Sequence, residues 1–107
     1  MNKKIFIACD TNSVSKVKKI IKNTKTDKLK IGYKFGLEFI NSKNGRSFLK
    51  KIKNKIVFLD LKLHDIPNTM QSTIKAIKDL NINYLTVHIS AGLKALKIVK
   101  KNSGKIK

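Results

Sequence analysis

The chain has 107 residues, 25 of them lysine or arginine against 6 aspartate or glutamate, for a formal charge of +19. That length suits one small domain; no stretch approaches the ~20 apolar residues of a membrane span, and a single cysteine excludes an internal disulfide. The charge invites a nucleic-acid reading, but all but one of the basic residues are lysine and no aromatic–basic interleaving of the kind that stacks bases occurs, so salt-sensitive sticking to polyanions is expected rather than specific binding.

The start, Met1 to Asp10, has a basic beginning and a short apolar run that ends in an aspartate. It makes a poor signal peptide and a good first strand over residues 4–9, which fits a cytoplasmic protein. Cys9 reads as a small core residue. Thr11, Asn12 and Ser13 are turn and N-cap residues. Val14, Val17, Ile20 and Ile21 then recur at helical spacing with lysines between them.

A second strand is expected over residues 29–35, with Lys34 near its end and Gly36 after it. Leu37 to Ile40 predicts a helical turn, Asn41 to Gly45 a turn cluster, and Ser47 to Lys53 a short helix burying Phe48, Leu49 and Ile52. The apolar run from Lys55 to Leu61 predicts a third, buried strand. It leads into Asp60-Leu-Lys-Leu-His-Asp-Ile-Pro-Asn-Thr69. Pro67 biases Ile66 away from helix, which leaves Asp65 and Ile66 in a loop. Asn68 is a suitable N-cap for a helix over 70–80 that buries Met70, Ile74, Ile77 and Leu80. Tyr84 to His88 predicts a fourth strand. A last helix carries Leu93, Leu96 and Val99 and frays through residues 102–104 into a basic tail.

Four strand–helix units imply parallel strands joined by crossover helices. The strand-end residues Asp10, Lys34, Asp60 and His88 recur at intervals of 24, 26 and 28 residues. Such a repeat is expected of a (β/α)8 TIM barrel, which places its chemistry at the C-terminal ends of its strands. A flavodoxin-like open sheet is the competing architecture, although the first turn lacks the usual glycine-rich or acidic cluster. A closed barrel takes roughly 250 residues, so this chain supplies about four βα units. Residues 1–107 are therefore read as the N-terminal half of a barrel domain, a partial chain. Otherwise two copies must associate to cover the open sheet edges and inner face.

Asp60, Lys62 and Lys34 are expected at one rim, with Asp65 on the adjoining loop. On an extended segment Asp60 and Lys62 point the same way. Alternating carboxylates and ammoniums hold each lysine protonated. A lysine so held is a proton donor and an anchor for developing negative charge, and an aspartate beside it presses on a substrate carboxylate. The pairing suits forming and then protonating a carbanion. The bland reading is a strand-end salt bridge on a basic protein. Hard cations are the rival use of Asp60 and Asp65, and Lys62 between them argues against a metal. His64 reads as a polar loop residue that buttresses its neighbours, and Tyr33 and Tyr84 as strand packing.

The run from Asp60 to Thr69 resembles the signature of the orotidine 5′-phosphate decarboxylase family. Ala8-Cys9-Asp10 resembles that family's first-strand aspartate motif, Lys34-Phe35-Gly36 its second-strand lysine motif and Val87-His88 its fourth-strand histidine motif, all in order and spacing. The Asp-x-Lys-x-x-Asp core is shared with related sugar-phosphate enzymes; the extension Ile66-Pro67-Asn68-Thr69 points to the orotidine enzyme.

The resemblance implies conversion of orotidine 5′-phosphate to UMP and carbon dioxide in pyrimidine biosynthesis, with no metal or organic cofactor. It makes Lys62 the general acid, sets Asp60 beside the substrate carboxylate and completes the array with Lys34 and Asp65. Asp10 and Lys34 would bind ribose hydroxyls. Asp65, Ile66 and Thr69 would reach the partner's site in a homodimer, and His88 would support the rim or the dimer contact. Ala91 stands where the family often has a second glycine, and Cys9 where leucine is more usual. The family's phosphate grip comes from its C-terminal half, so the 107 residues alone are expected to be nearly inactive. Two alternatives remain at this point: a magnesium-dependent sugar-phosphate decarboxylase or aldolase of the same superfamily, and a noncatalytic basic domain that binds nucleic acid.

Overall fold

A computed structural model describes residues 3–107; Met1 and Asn2, the first part of the basic start, lie outside it. The elements in order are β1 (Lys4–Ala8), α1 (Val14–Asn23), β2 (Lys30–Gly36), α2 (Leu37–Ile40), α3 (Gly45–Lys51), β3 (Ile56–Leu63), α4 (Pro67–Ala76), β4 (Tyr84–Val87), a 3-10 turn (Ile89–Ala91) and α5 (Leu93–Asn102). The four strands form one parallel sheet in the order β1-β2-β3-β4. A flavodoxin-like sheet would interleave its strands as 2-1-3-4, so the sequential order decides against that alternative.

Period-two alternation gives the sheet two unlike faces. Cys9, Tyr33, Phe35, Val57, Leu59 and Leu61 share one face and lie in a single buried cluster with Val17, Phe39, Leu49, Met70, Ile74, Ala95 and Val99 from the helices. Tyr33 is buried with its hydroxyl 2.7 Å from that of Thr24, so its polar end is satisfied. Burial pushes the Cys9 thiol up to about 11, with the Asp10 charge adding to the shift.

The other face carries Phe6, Phe58 and Tyr84, whose ring centroids lie 5.3–6.1 Å apart. Phe6 reaches over the intervening strand because Gly32 has no side chain; a Cβ there would sit 2.6 Å from the Phe6 ring. Phe6 is 38% exposed, so this layer is only partly covered.

Several boundaries differ from the sequence expectation. α4 begins at Pro67 with Ile66 as its N-cap, so Asn68 lies in the first turn and is not the cap. Proline at the first helical position is preset in φ and needs no N–H partner, and here that outweighs the capping preference of asparagine. α4 ends at Ala76, yet Ile77 and Leu80 are still buried, held by a turn in which Leu80 N–H donates to Ile77 O (3.0 Å). α3 starts at Gly45 because the turn packs that backbone against α2, where a Cβ would overlap the Phe39 carbonyl oxygen. Leu93 is exposed, and Ala95 and Val99 anchor α5 instead.

The tail does not fray. Lys107 N–H donates to Asn83 O (3.0 Å) and Lys107 O accepts from Leu85 N–H (2.8 Å), which docks it beside β4 in a parallel ladder.

Gly45→Ala is expected to lower the urea midpoint by the equivalent of about 1–3 kcal/mol, the usual cost of forcing atoms into a filled site. An unchanged midpoint would show that α2 and α3 can separate freely.

Candidate functional site

Parallel strands bring their C-terminal ends to one edge, and the polar residues gather there. Register pairs Lys34 with Phe58 and Gly36 with Asp60, so Lys34 and Asp60 share a face on neighbouring strands. Asp60 Oδ2 lies 2.9 Å from Lys62 Nζ and 3.6 Å from Lys34 Nζ. Asp60 Oδ1 accepts from the Thr86 hydroxyl at 2.7 Å. The Asp60 side chain is 12% exposed, against 33% for Lys34 and 69% for Lys62. The Thr86 hydrogen bond, then that of Lys62, hold the Asp60 carboxyl below the usual carboxylate value; partial burial opposes them and the charges of Lys62 and Lys34 reinforce them.

Regular alternation already sets Lys62 on the same face as Asp60, but the backbone between them is irregular. β3 bulges against β4 between Leu59 and Leu63, and Lys62 adopts φ +48°. Such left-handed backbone is uncommon outside glycine. From this backbone Lys62 Nζ reaches the carboxylate two residues earlier at 2.9 Å.

The other expected residues are placed as follows. Asp65 is exposed; its Oδ1 accepts from Ile66 N–H (2.7 Å), and among the described residues no ion pair joins it to the lysines. Ile66 is 64% exposed and Thr69 is exposed on the first turn of α4. Asp10 is exposed just beyond β1. His88 stacks on His64 with centroids 4.6 Å apart and planes at 15°, and His88 Nδ1 makes a hydrogen bond with the Ser90 hydroxyl.

This geometry can be set beside known proteins. The family model described as orotidine 5′-phosphate decarboxylase / HUMPS family matches residues 3–107. The chain belongs to that family. Orotidine 5′-phosphate decarboxylase of Wolbachia sp. subsp. Brugia malayi is 44% identical over 95% of this chain and 47% of its own length. That of Fusobacterium nucleatum is 39% identical over 94% of this chain and 42% of its own. The crystal structure of orotidine 5′-phosphate decarboxylase from Lactobacillus acidophilus superposes with a TM-score of 0.82 at 32% identity, covering 97% of this chain and 46% of that one. The chain thus spans about half the length of the curated relatives it matches, and its four βα units cover about half of the (β/α)8 barrel of the decarboxylase family.

Thr86 is the site residue that the sequence reading missed. A signal existed: Thr86 shares strand parity with His88 and stands one strand from Asp60. Its relevance depends on register, which a single sequence does not carry.

Asp60 has a folded-state value below its ordinary 3.8. It therefore stabilises the fold fully above the unfolded value, and the contribution disappears as pH falls through the lowered one. Asp60→Asn should melt below the wild type at pH 6, and the gap should narrow as pH drops beneath 3.8. A gap independent of pH would remove the ion-pair account.

Proposed function

We propose that this chain supplies the charge array of an orotidine 5′-phosphate decarboxylase, which releases carbon dioxide from the pyrimidine of orotidine 5′-phosphate to give UMP. The observation that carries the reading is Asp60, with one oxygen facing both Lys62 and Lys34 at the strand-end rim, in a chain of this family. The C6–carboxylate bond breaks and its electron pair stays on C6. Lys62 then delivers an ammonium proton to C6 and regains one from solvent. Asp60, kept ionised, lies beside the departing carboxylate and repels it, a ground-state contribution that the leaving of carbon dioxide relieves. Lys34 neutralises Asp60 between turnovers and, with Asp10, binds ribose hydroxyls. The reaction on this reading uses no metal or organic cofactor.

The exposed Asp65, Ile66 and Thr69 support a homodimer in which this loop enters the partner's site, with His88 bracing the rim or the dimer contact. Residues 1–107 act on this reading as the N-terminal half of a barrel domain in a cytoplasmic enzyme. The exposure of Lys62 bears on activity. Ion pairs that face water contribute roughly 0–1 kcal/mol, whereas electrostatic catalysis needs a dry site. A cover over the rim is therefore required, and this reading assigns substrate phosphate binding to the family's C-terminal half.

Two assays test the reading. The purified chain should turn over orotidine 5′-phosphate hardly at all. Grafted in place of the matching half of the Lactobacillus acidophilus enzyme, it should restore decarboxylation, and Lys62→Ala in the graft should lower kcat by about 10²–10⁴-fold, the range for loss of a general acid. A folded graft that does not turn over orotidine 5′-phosphate would refute the function.

A further inference from the structure

The bulge in β3 has a partner of its own. Phe58 pairs with Tyr84 and Leu59 with Leu85, and the next pair is Leu63 with Val87. Between those pairs β3 carries Asp60, Leu61 and Lys62, whereas β4 carries Thr86 alone. The excess backbone has no carbonyl opposite it, yet Lys62 N–H needs an acceptor. Thr86 Oγ1 accepts from Lys62 N–H at 2.9 Å and donates to Asp60 Oδ1 at 2.7 Å.

The direction of both bonds is fixed by chemistry. A backbone N–H can only donate and an ionised carboxylate can only accept, so the single hydroxyl proton must point to Asp60. An N–H to O–H to carboxylate chain polarises each link in the same sense. The bridge also divides the labour of the carboxylate. Oδ1 is held by Thr86, which leaves Oδ2 to face Lys62 at 2.9 Å and Lys34 at 3.6 Å.

We propose that Thr86 is a positioning residue: its hydroxyl closes the β3 bulge and sets the Lys62 backbone and the Asp60 carboxylate in one fixed relation. A threonine suits the task. Its branched side chain fits a strand, and its hydroxyl both donates and accepts at short reach. Valine copies the shape and offers neither function. The bridge stands on geometry alone; its value to turnover rests on the decarboxylase reading.

The decisive experiment is NMR on the 107-residue chain, following the Asp60 carboxyl through a pH titration and the Lys62 amide by hydrogen exchange. In Thr86→Val, Asp60 should titrate closer to its ordinary 3.8, and the Lys62 amide should exchange roughly tenfold faster, as for loss of a hydrogen bond of ordinary strength. Thr86→Ser should keep both near wild type. If Thr86→Val changes neither reading, the bridge does not position the pair.

Should the valine variant not fold, Lys62→Gly answers instead, because glycine accepts the positive φ and Thr86 stays in place. Asp60 must then still titrate below 3.8; a return to 3.8 would overturn the proposal. In the grafted enzyme, Thr86→Val should lower kcat more than it raises KM, and serine should rescue it. A graft inactive even with Thr86 would count against the decarboxylase reading, while the NMR result would still decide the bridge.

Discussion

Parallel pairing is the constraint on which this structure depends. Two parallel strands cannot be joined by a tight turn, so each must be followed by a segment that returns the chain to the starting edge. Helices α1, α3 and α4 do this, and their apolar residues meet one face of the sheet in a single cluster. The same constraint sends every strand's C-terminal end to one rim. Asp10, Lys34, Asp60 and His88 come from four separate strand–helix units, yet one edge presents them all. The chemistry is thus gathered by connectivity, before any side chain interacts with another.

The two faces of the sheet differ in how complete they are. The helix-side cluster contains Phe35, Phe39, Leu59 and Ile74, all at 0% exposure. The opposite face is held by fewer contacts: Phe6 lying over Gly32 against Phe58 and Tyr84, and Lys4 Nζ donating to the Tyr84 hydroxyl at 2.6 Å. Lys34, Asp60 and Thr86 stand on that second face, further along the strands. The relatives are about twice as long as this chain. In a closed barrel the inward residues of all eight strands pack in layers, which would dry the face that carries the charge array.

Asp60 shows how local defects serve a site. Its carboxylate faces Lys34 through the regular β2–β3 register, and meets Lys62 and the Thr86 hydroxyl where β3 leaves regular pairing with β4. Bulges recur beside active sites, and this one brings the Lys62 N–H to the Thr86 hydroxyl. Where Lys62 faces water, the Coulomb gain is modest, so the array on this chain fixes geometry more than it stores energy.

The sequence by itself determined the element order, the parallel architecture and the family. Each of these follows from local patterning: apolar runs of strand length, helical spacing between them, and motifs whose residues lie close together in the chain. Asp60, Lys34 and His88 could be placed at strand ends for the same reason. Helix starts were less legible, because Pro67 and Asn68 both carry start signals and only the packed structure chose between them. Within this chain the Asp65 carboxylate accepts from Ile66 N–H; in the proposed homodimer, its joining a charge array depends on the geometry of a second chain, which proximity in sequence does not carry. Tertiary structure alone decided the left-handed Lys62, the docking of Lys107 beside β4 and the role of Thr86. All three depend on the register between strands or on backbone paired across a gap in sequence, where the partner of a hydrogen bond is set by three-dimensional alignment and not by residue type.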